Sequence, residues 1–278
     1  MVLKTGESFS SSVLFVYGLF VLYYHKNGKI KKLDQLSVSV SETTRNMNLS
    51  IFLSLVAFSS ASDIFQIRLD QLTSIVGSGE IDVLQEILRE DGALVVSNLP
   101  PDYTKAVEDL KKNGPKCLES NSLSVFDLPD GSQRRTFALN SDTSGEYPDC
   151  VEEEAKTIHQ HFDHLDTVMS AIILQAIGDF KKAEWSTDDV NHGNLLDKHY
   201  KEHIHVYSKK EERGRDYAVP FHTDNGLMLF LTPVLEHPLI IRNSRGEELD
   251  LARIGNDSII IILGSALPNW LLRGSYAE

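Results

Sequence analysis

Val219-Pro220-Phe221-His222-Thr223-Asp224-Asn225-Gly226-Leu227 places an imidazole and a carboxylate two residues apart at the edge of an extended, apolar run. On an extended backbone residues two apart share a face, so His222 and Asp224 can converge on one ion. The pattern His-x-Asp is weak by itself: with 40 acidic residues in 278, about one histidine in seven meets an acidic residue two places on by chance. It occurs three times here. His161-Phe162-Asp163 and His164-Leu165-Asp166 fall in a stretch of helical spacing, where residues two apart diverge and cannot share a metal. Only His222 and Asp224 stand where they can supply two members of a two-histidine, one-carboxylate iron site. Taken alone, His222 is equally well read as a histidine hydrogen-bonded in a loop.

Outward from this segment the chain divides by character. Residues 203–207, 227–231, 239–242 and 258–263 read as short strands separated by Gly, Pro, Asn and charged turns. Upstream, Ile64, Phe65, Ile67 and Leu69 predict a first strand. Ile81, Leu84, Ile87 and Leu88 then predict a helix that Gly92 stops, and Ala93 to Val96 a buried strand. Pro100-Pro101-Asp102 opens a helix whose stop is expected at Asn113-Gly114-Pro115. Residues 118–148 are polar and turn-rich, predicting short strands joined by loops. The longest helix is expected from a cap at Asp149 to Gly178, with Val151, Ala155, Ile158, Phe162, Leu165, Met169, Ile172 and Ile173 on one face. A helical first half feeds a β-rich second half, with no repeat, in one domain spanning 62–278.

A net charge of −13 argues against a nucleic-acid or anionic-membrane surface and leaves a small molecule or a protein as partner. Cys117 and Cys150 are too few for a disulfide scaffold and lack zinc-type spacing; one disulfide is open to them in an oxidising compartment. Residues 1–61 read as an upstream extension. Within it, Met47 begins a candidate signal peptide (47–61), with an apolar core Leu49 to Phe58 and small residues Ser59-Ser60-Ala61 before cleavage. Secretory entry is therefore expected, with Asn256-Asp257-Ser258 as a glycosylation acceptor. The run Val13 to Tyr24 would be a membrane anchor if the Met1 start is used, although it is short for a span.

Tyr217-Ala218-Val219-Pro220-Phe221-His222-Thr223-Asp224-Asn225-Gly226-Leu227-Met228-Leu229-Phe230-Leu231-Thr232-Pro233 resembles the metal-binding strand of the isopenicillin N synthase-like family of iron(II)- and 2-oxoglutarate-dependent dioxygenases. Asp91 to Pro100 is similar to that family's amino-terminal region, with Ser97-Asn98-Leu99 departing from its Asn-His-Gly. Ile259 to Gly264 followed by Leu267-Pro268-Asn269-Trp270-Leu271 resembles the strand leading to its last metal ligand. The resemblance covers about residues 63–272, in order. It implies a mainly β double-stranded β-helix (jelly roll) with flanking helices, iron ligands at His222 and Asp224, and Tyr207 holding the carboxylate of 2-oxoglutarate. The implied reaction is oxidative decarboxylation of 2-oxoglutarate at Fe(II), with oxidation of a small organic substrate.

The resemblance also implies a second histidine ligand roughly fifty to sixty residues after the first, with an Arg-x-Ser beyond it to pair with the far carboxylate. No histidine follows His237, which lies in a turn too close to His222, and Arg273-Gly274-Ser275 imitates the Arg-x-Ser spelling without the histidine. The expectation is a domain incomplete at its carboxy end, with the last strands missing. His203 and His205, which share a strand face, are read as a solvated or hydrogen-bonded edge and not as ligands. A non-catalytic jelly-roll binding protein of the secretory pathway, or an inactive truncated isoform, is the alternative. Metal-dependent hydrolysis is weaker, because no third ligand falls at zinc-site spacing.

Overall fold

The computed structural model describes residues 2–4, 12–19, 64–78, 81–140, 146–178, 200–209, 217–219, 221–224, 226–233, 239–243, 245–251 and 254–265. The candidate leader 47–61, His237 and Arg273-Gly274-Ser275 lie outside them, as do residues 20–24 of the run from Val13 to Tyr24.

Ala93–Ser97, Met228–Leu231 and Ile259–Leu263 are almost continuously apolar because both of their faces are buried. Leu94, Val96, Met228, Phe230, Ile259 and Ile261 point to one core; Ala93, Val95, Leu229, Leu231, Ile260 and Ile262 point to a second. Alternation thus survives as two apolar faces and not as an apolar and a polar one. Each buried branched side chain contributes about 1.5–3 kcal/mol relative to leaving it in water.

Twelve strands and four helices are described. The strands are β1 (Val2–Lys4), β2 (Ser12–Leu19), β3 (Gln66–Arg68), β4 (Ala93–Ser97), β5 (Ser124–Asp127), β6 (Ser132–Asn140), β7 (Tyr200–Lys209), β8 (Tyr217–Val219), β9 (Met228–Leu231), β10 (Leu239–Arg242), β11 (Glu248–Asp250) and β12 (Ile259–Leu263). An eight-stranded sheet runs β3-β4-β12-β9-β2-β7-β6-β5, and a four-stranded sheet runs β11-β10-β1-β8. All pairings are antiparallel except the parallel β3 with β4. This is a jelly roll whose sheets remain open, with helices on the outer face of the larger sheet.

The middle position of each sheet is taken by amino-terminal residues. β1 lies between β10 and β8, and β2 lies between β9 and β7, with Ser12 opposite Tyr207 and Leu19 opposite both Tyr200 and Met228. The sequence alone assigns these residues to an upstream extension; here they pair into both sheets. Among the described residues no helix is long and apolar enough to cross a membrane.

The helices are α1 (Leu69–Ser78), α2 (Asp82–Asp91), α3 (Pro101–Asn121) and α4 (Glu152–Gly178). Gly92 ends α2 as expected: it takes φ 64° and its N–H donates to the Leu88 carbonyl. Two expectations need correction. Leu69 begins α1 and is not the end of a strand. α3 does not stop at Asn113-Gly114-Pro115 but runs on to Asn121, because buried Gly114, Cys117 and Leu118 and a Cys117–Cys150 disulfide (Cα–Cα 5.8 Å) hold its last turns against the start of α4. Tertiary packing outweighs the one backbone hydrogen bond that Pro115 removes. Asn98, where the sequence departs from Asn-His-Gly, takes a left-handed φ of 61°, which asparagine tolerates better than most residues. Asn256 of the expected glycosylation tripeptide accepts a hydrogen bond from Lys111 Nζ, and Ser258 is buried.

Candidate functional site between the two sheets

The segment 221–224 follows β8 outside any helix or sheet pairing. His222 Nε2 stands 3.7 Å from Asp224 Oδ1, with the two side chains 39% and 29% exposed, so they converge and remain open to solvent. Phe221 is held by the Arg242 guanidinium, 4.0 Å above its ring centroid. On the other side, Ser265 N–H donates to the Asp224 carbonyl and Gly264 N–H to that of Leu227, both at 2.9 Å. Gly264 must be glycine for steric reasons: a Cβ there would sit 1.9 Å from the Gly226 carbonyl oxygen. The end of β12 therefore clamps the backbone that carries Asp224.

Facing this pair across the roll is the inner surface of β6 and β7. Thr136 pairs with His205, and Arg134 with Tyr207. Tyr207 is buried in the inter-sheet core with Leu229, Leu231, Ile260 and Ile262. Burial pushes its phenol pKa up, the neighbouring Arg134 guanidinium draws it back, and the Asp224 carboxylate raises it further, so Asp224 and Tyr207 sense one another. His205 is buried, shares a 2.9 Å hydrogen bond between Nδ1 and Thr136 Oγ1, and its ring lies 5.2 Å from that of His203 and 6.1 Å from that of Tyr207. Burial first, then His203 and Arg134, hold its pKa well below the ordinary histidine value. His203 is lowered too, by burial and then by Lys201 and Arg134. Both imidazoles are neutral near pH 7. Hydrogen-bonded is the right half of the sequence expectation for His205, and solvated is not.

Glu202, between Lys201 and the two histidines in sequence, is buried on the opposite face of β7. It accepts a hydrogen bond from the Tyr147 hydroxyl and contacts His159 Nδ1 on α4. This network fastens the helix layer to the sheet. The other two His-x-Asp pairs lie within α4, as expected, with Phe162 and Leu165 buried between them. His161 instead meets Asp102 of α3 at 3.3 Å.

Two donors each about 2.1 Å from an octahedral ion stand about 3 Å apart. His222 and Asp224 would close on one ion with a shift of less than about an ångström. An imidazole nitrogen and a carboxylate oxygen at this separation could supply two ligands to one such ion. Among the described residues no group of three His, Cys, Asp or Glu side chains could hold a metal. The residues missed by sequence reading are Gly264, Thr136 and Arg134. The first is betrayed only by a collision in space, and the other two lie in a stretch too polar to show a strand period.

No family model matches the sequence, and no curated protein matches it. Among solved structures the chain is similar to a Shewanella oneidensis protein described as an oxygenase, with TM-score 0.50 and 18% identity over 74% of this chain and 78% of that one. It is also similar to a Neurospora crassa protein solved in several forms. For the full-length protein in complex with alpha-KG and 5-formyluracil, the TM-score is 0.48 with 14% identity over 77% and 76% of the two chains. For a C-terminal truncated apo form of the same protein it is 0.48 with 15% identity over 77% and 86%. The Shewanella likeness and the strand order define the fold: a jelly roll with helices on one face.

Proposed function

We propose that this protein is an iron(II)- and 2-oxoglutarate-dependent oxygenase that oxidises a small organic substrate between its two sheets. The observation carrying the reading is the convergence of His222 Nε2 and Asp224 Oδ1 to 3.7 Å at the mouth of the jelly roll, opposite Tyr207. Bound there, iron(II) would supply the oxidation chemistry, in which 2-oxoglutarate and dioxygen become succinate and carbon dioxide as one oxygen atom is placed on the substrate. The imidazole and carboxylate hold the ion. The Tyr207 hydroxyl, kept un-ionised by burial, is a hydrogen-bond donor for a carboxylate oxygen of 2-oxoglutarate. Leu229, Leu231, Ile260 and Ile262 pack in one buried cluster with Tyr207 and keep water from it. An oxidising, secretory compartment belongs to this reading, because cytosolic thiols would work against the Cys117–Cys150 bridge.

A second reading has its own observation: with two candidate ligands and no third among the described residues, the roll would serve as a binding protein without turnover. Succinate release with iron(II) and 2-oxoglutarate separates the two. Iron-dependent release is expected from the full chain, falling about 100-fold or to background in His222→Ala and Asp224→Ala. A chain that binds neither iron nor 2-oxoglutarate, or variants as active as the parent, would leave the binding-protein reading standing.

A further inference from the structure

Arg134 occupies a place where a cation is hard to account for by structure alone. It lies on β6 in a row across three strands, with Phe126 of β5 on one side and Tyr207 of β7 on the other. Its guanidinium carbon is 5.2 Å from the Phe126 ring centroid, and its Nε is buried without a hydrogen-bond partner. Among the described residues no carboxylate lies at ion-pair distance from it. A guanidinium carries five N–H donors in a planar fork, and here the Phe126 ring and the Tyr207 hydroxyl answer it but no anion among the described residues does. The groups around it on the inner face are the Tyr207 hydroxyl, neutral His205 and His203, and Thr136. This is a donor-rich wall with one positive charge that none of these groups neutralises.

We propose that Arg134, with the Tyr207 hydroxyl beside it, is the anchor for a ligand carboxylate inside the jelly roll. The guanidinium fork takes the carboxylate oxygens and Tyr207 donates to one of them, which fixes the ligand relative to His222 and Asp224 across the space. The anchor is built from β6, outside the strands to which the sequence resemblance points. The proposal rests on the oxygenase reading only for what the carboxylate belongs to: the 2-oxoglutarate co-substrate or an acid group on the molecule being oxidised.

Isothermal titration of the full chain, metal-free, with 2-oxoglutarate and with monocarboxylates from acetate to octanoate tests the anchor and separates these sources. If the co-substrate is held, 2-oxoglutarate binds, and Arg134→Gln weakens it by roughly tenfold or more. Arg134→Lys, which keeps the charge but not the fork, falls between parent and Gln, and Tyr207→Phe weakens binding less. If the substrate's acid group is held, the same ranking appears with a monocarboxylate titrated in the presence of saturating N-oxalylglycine. Arg135→Gln, altered on the opposite face of β6, leaves both unchanged. Circular dichroism shows whether Arg134→Gln folds; if it does not, the Lys variant carries the comparison. A parent chain that binds neither kind of carboxylate, or binding indifferent to position 134, overturns the proposal and makes Arg134 a structural residue stacked on Phe126. Carboxylate binding that depends on Arg134 without any iron binding would preserve this inference while sinking the oxygenase reading.

Discussion

Gly264 shows how a residue with no functional group can govern a site. Its backbone approaches Gly226 so closely that even a methyl group would meet a carbonyl oxygen at 1.9 Å, and the next residue donates to the Asp224 carbonyl. Because the obstacle is backbone, it cannot swing aside. Gly264→Ala should cost about 2 kcal/mol or more in urea unfolding and also weaken metal binding, since relief comes from moving the Asp224 segment. Unchanged metal affinity in a destabilised variant would show that the clamp is structural only. The buried histidines make a second prediction. His203 and His205 have folded pKa values below the unfolded value of about 6.5, so the unfolded chain binds protons more readily. Their contribution is fully present above that value and is lost as pH falls below it toward their depressed folded values. Beyond burial, Lys201 and Arg134 act on His203, and His203 and Arg134 act on His205. Denaturation midpoints measured between pH 7.5 and 5 should fall with pH, and His205→Gln should flatten the slope; an equally steep fall in the variant would place the acid sensitivity elsewhere.

Among the elements, legibility followed how local each signal was. α2 was legible because its periodicity and the Gly92 stop are contained in a few residues. His222 and Asp224 were legible as a pair because two-residue spacing on extended chain is a local property. β6 was legible only as one of the short strands expected within 118–148, without bounds, since its inward face carries Ser132, Arg134 and Thr136 and a strand lining a polar interior shows no apolar alternation. The carboxy-terminal half of α3 was hidden for another reason: Asn113-Gly114-Pro115 is a sound stop signal, overridden by contacts distant in sequence. The Cys117–Cys150 bridge is the strongest of these, tying the last turns of α3 to the segment just before α4 across a separation of 33 residues. Loop-closure entropy assigns such a crosslink about 3–4 kcal/mol. Cys117→Ser with Cys150→Ser should therefore lower the thermal midpoint markedly, with hydrogen exchange rising first in residues 113–121. Protection there equal to the parent's would mean that packing alone carries the helix past Pro115.

For the whole molecule, the decisive feature is that the middle strand of each sheet comes from the far amino-terminal end. An apolar run such as Val13 to Leu19 has the same composition whether it lies in a bilayer, in a leader or in a sheet, and only its partners distinguish these. The partners are 181 to 215 residues away, with Leu14 opposite His205 and Val16 opposite both His203 and Leu231. Remove β1 and β2, and β7 and β9 face each other across an empty strand position, as do β8 and β10, with rows of unpaired N–H and C=O groups on both sides. Each row is costly to leave unsatisfied in a partly buried setting and is a template for pairing with another chain. A chain of residues 62–278 should therefore lose the cooperative melt of the full chain and elute as aggregate in size-exclusion chromatography. A synthetic peptide of residues 1–20, added during refolding, should restore monomer by occupying the two positions. If the shortened chain melts at the same temperature as the parent and stays monomeric, β1 and β2 contribute nothing to the fold, and the sheets close by other means.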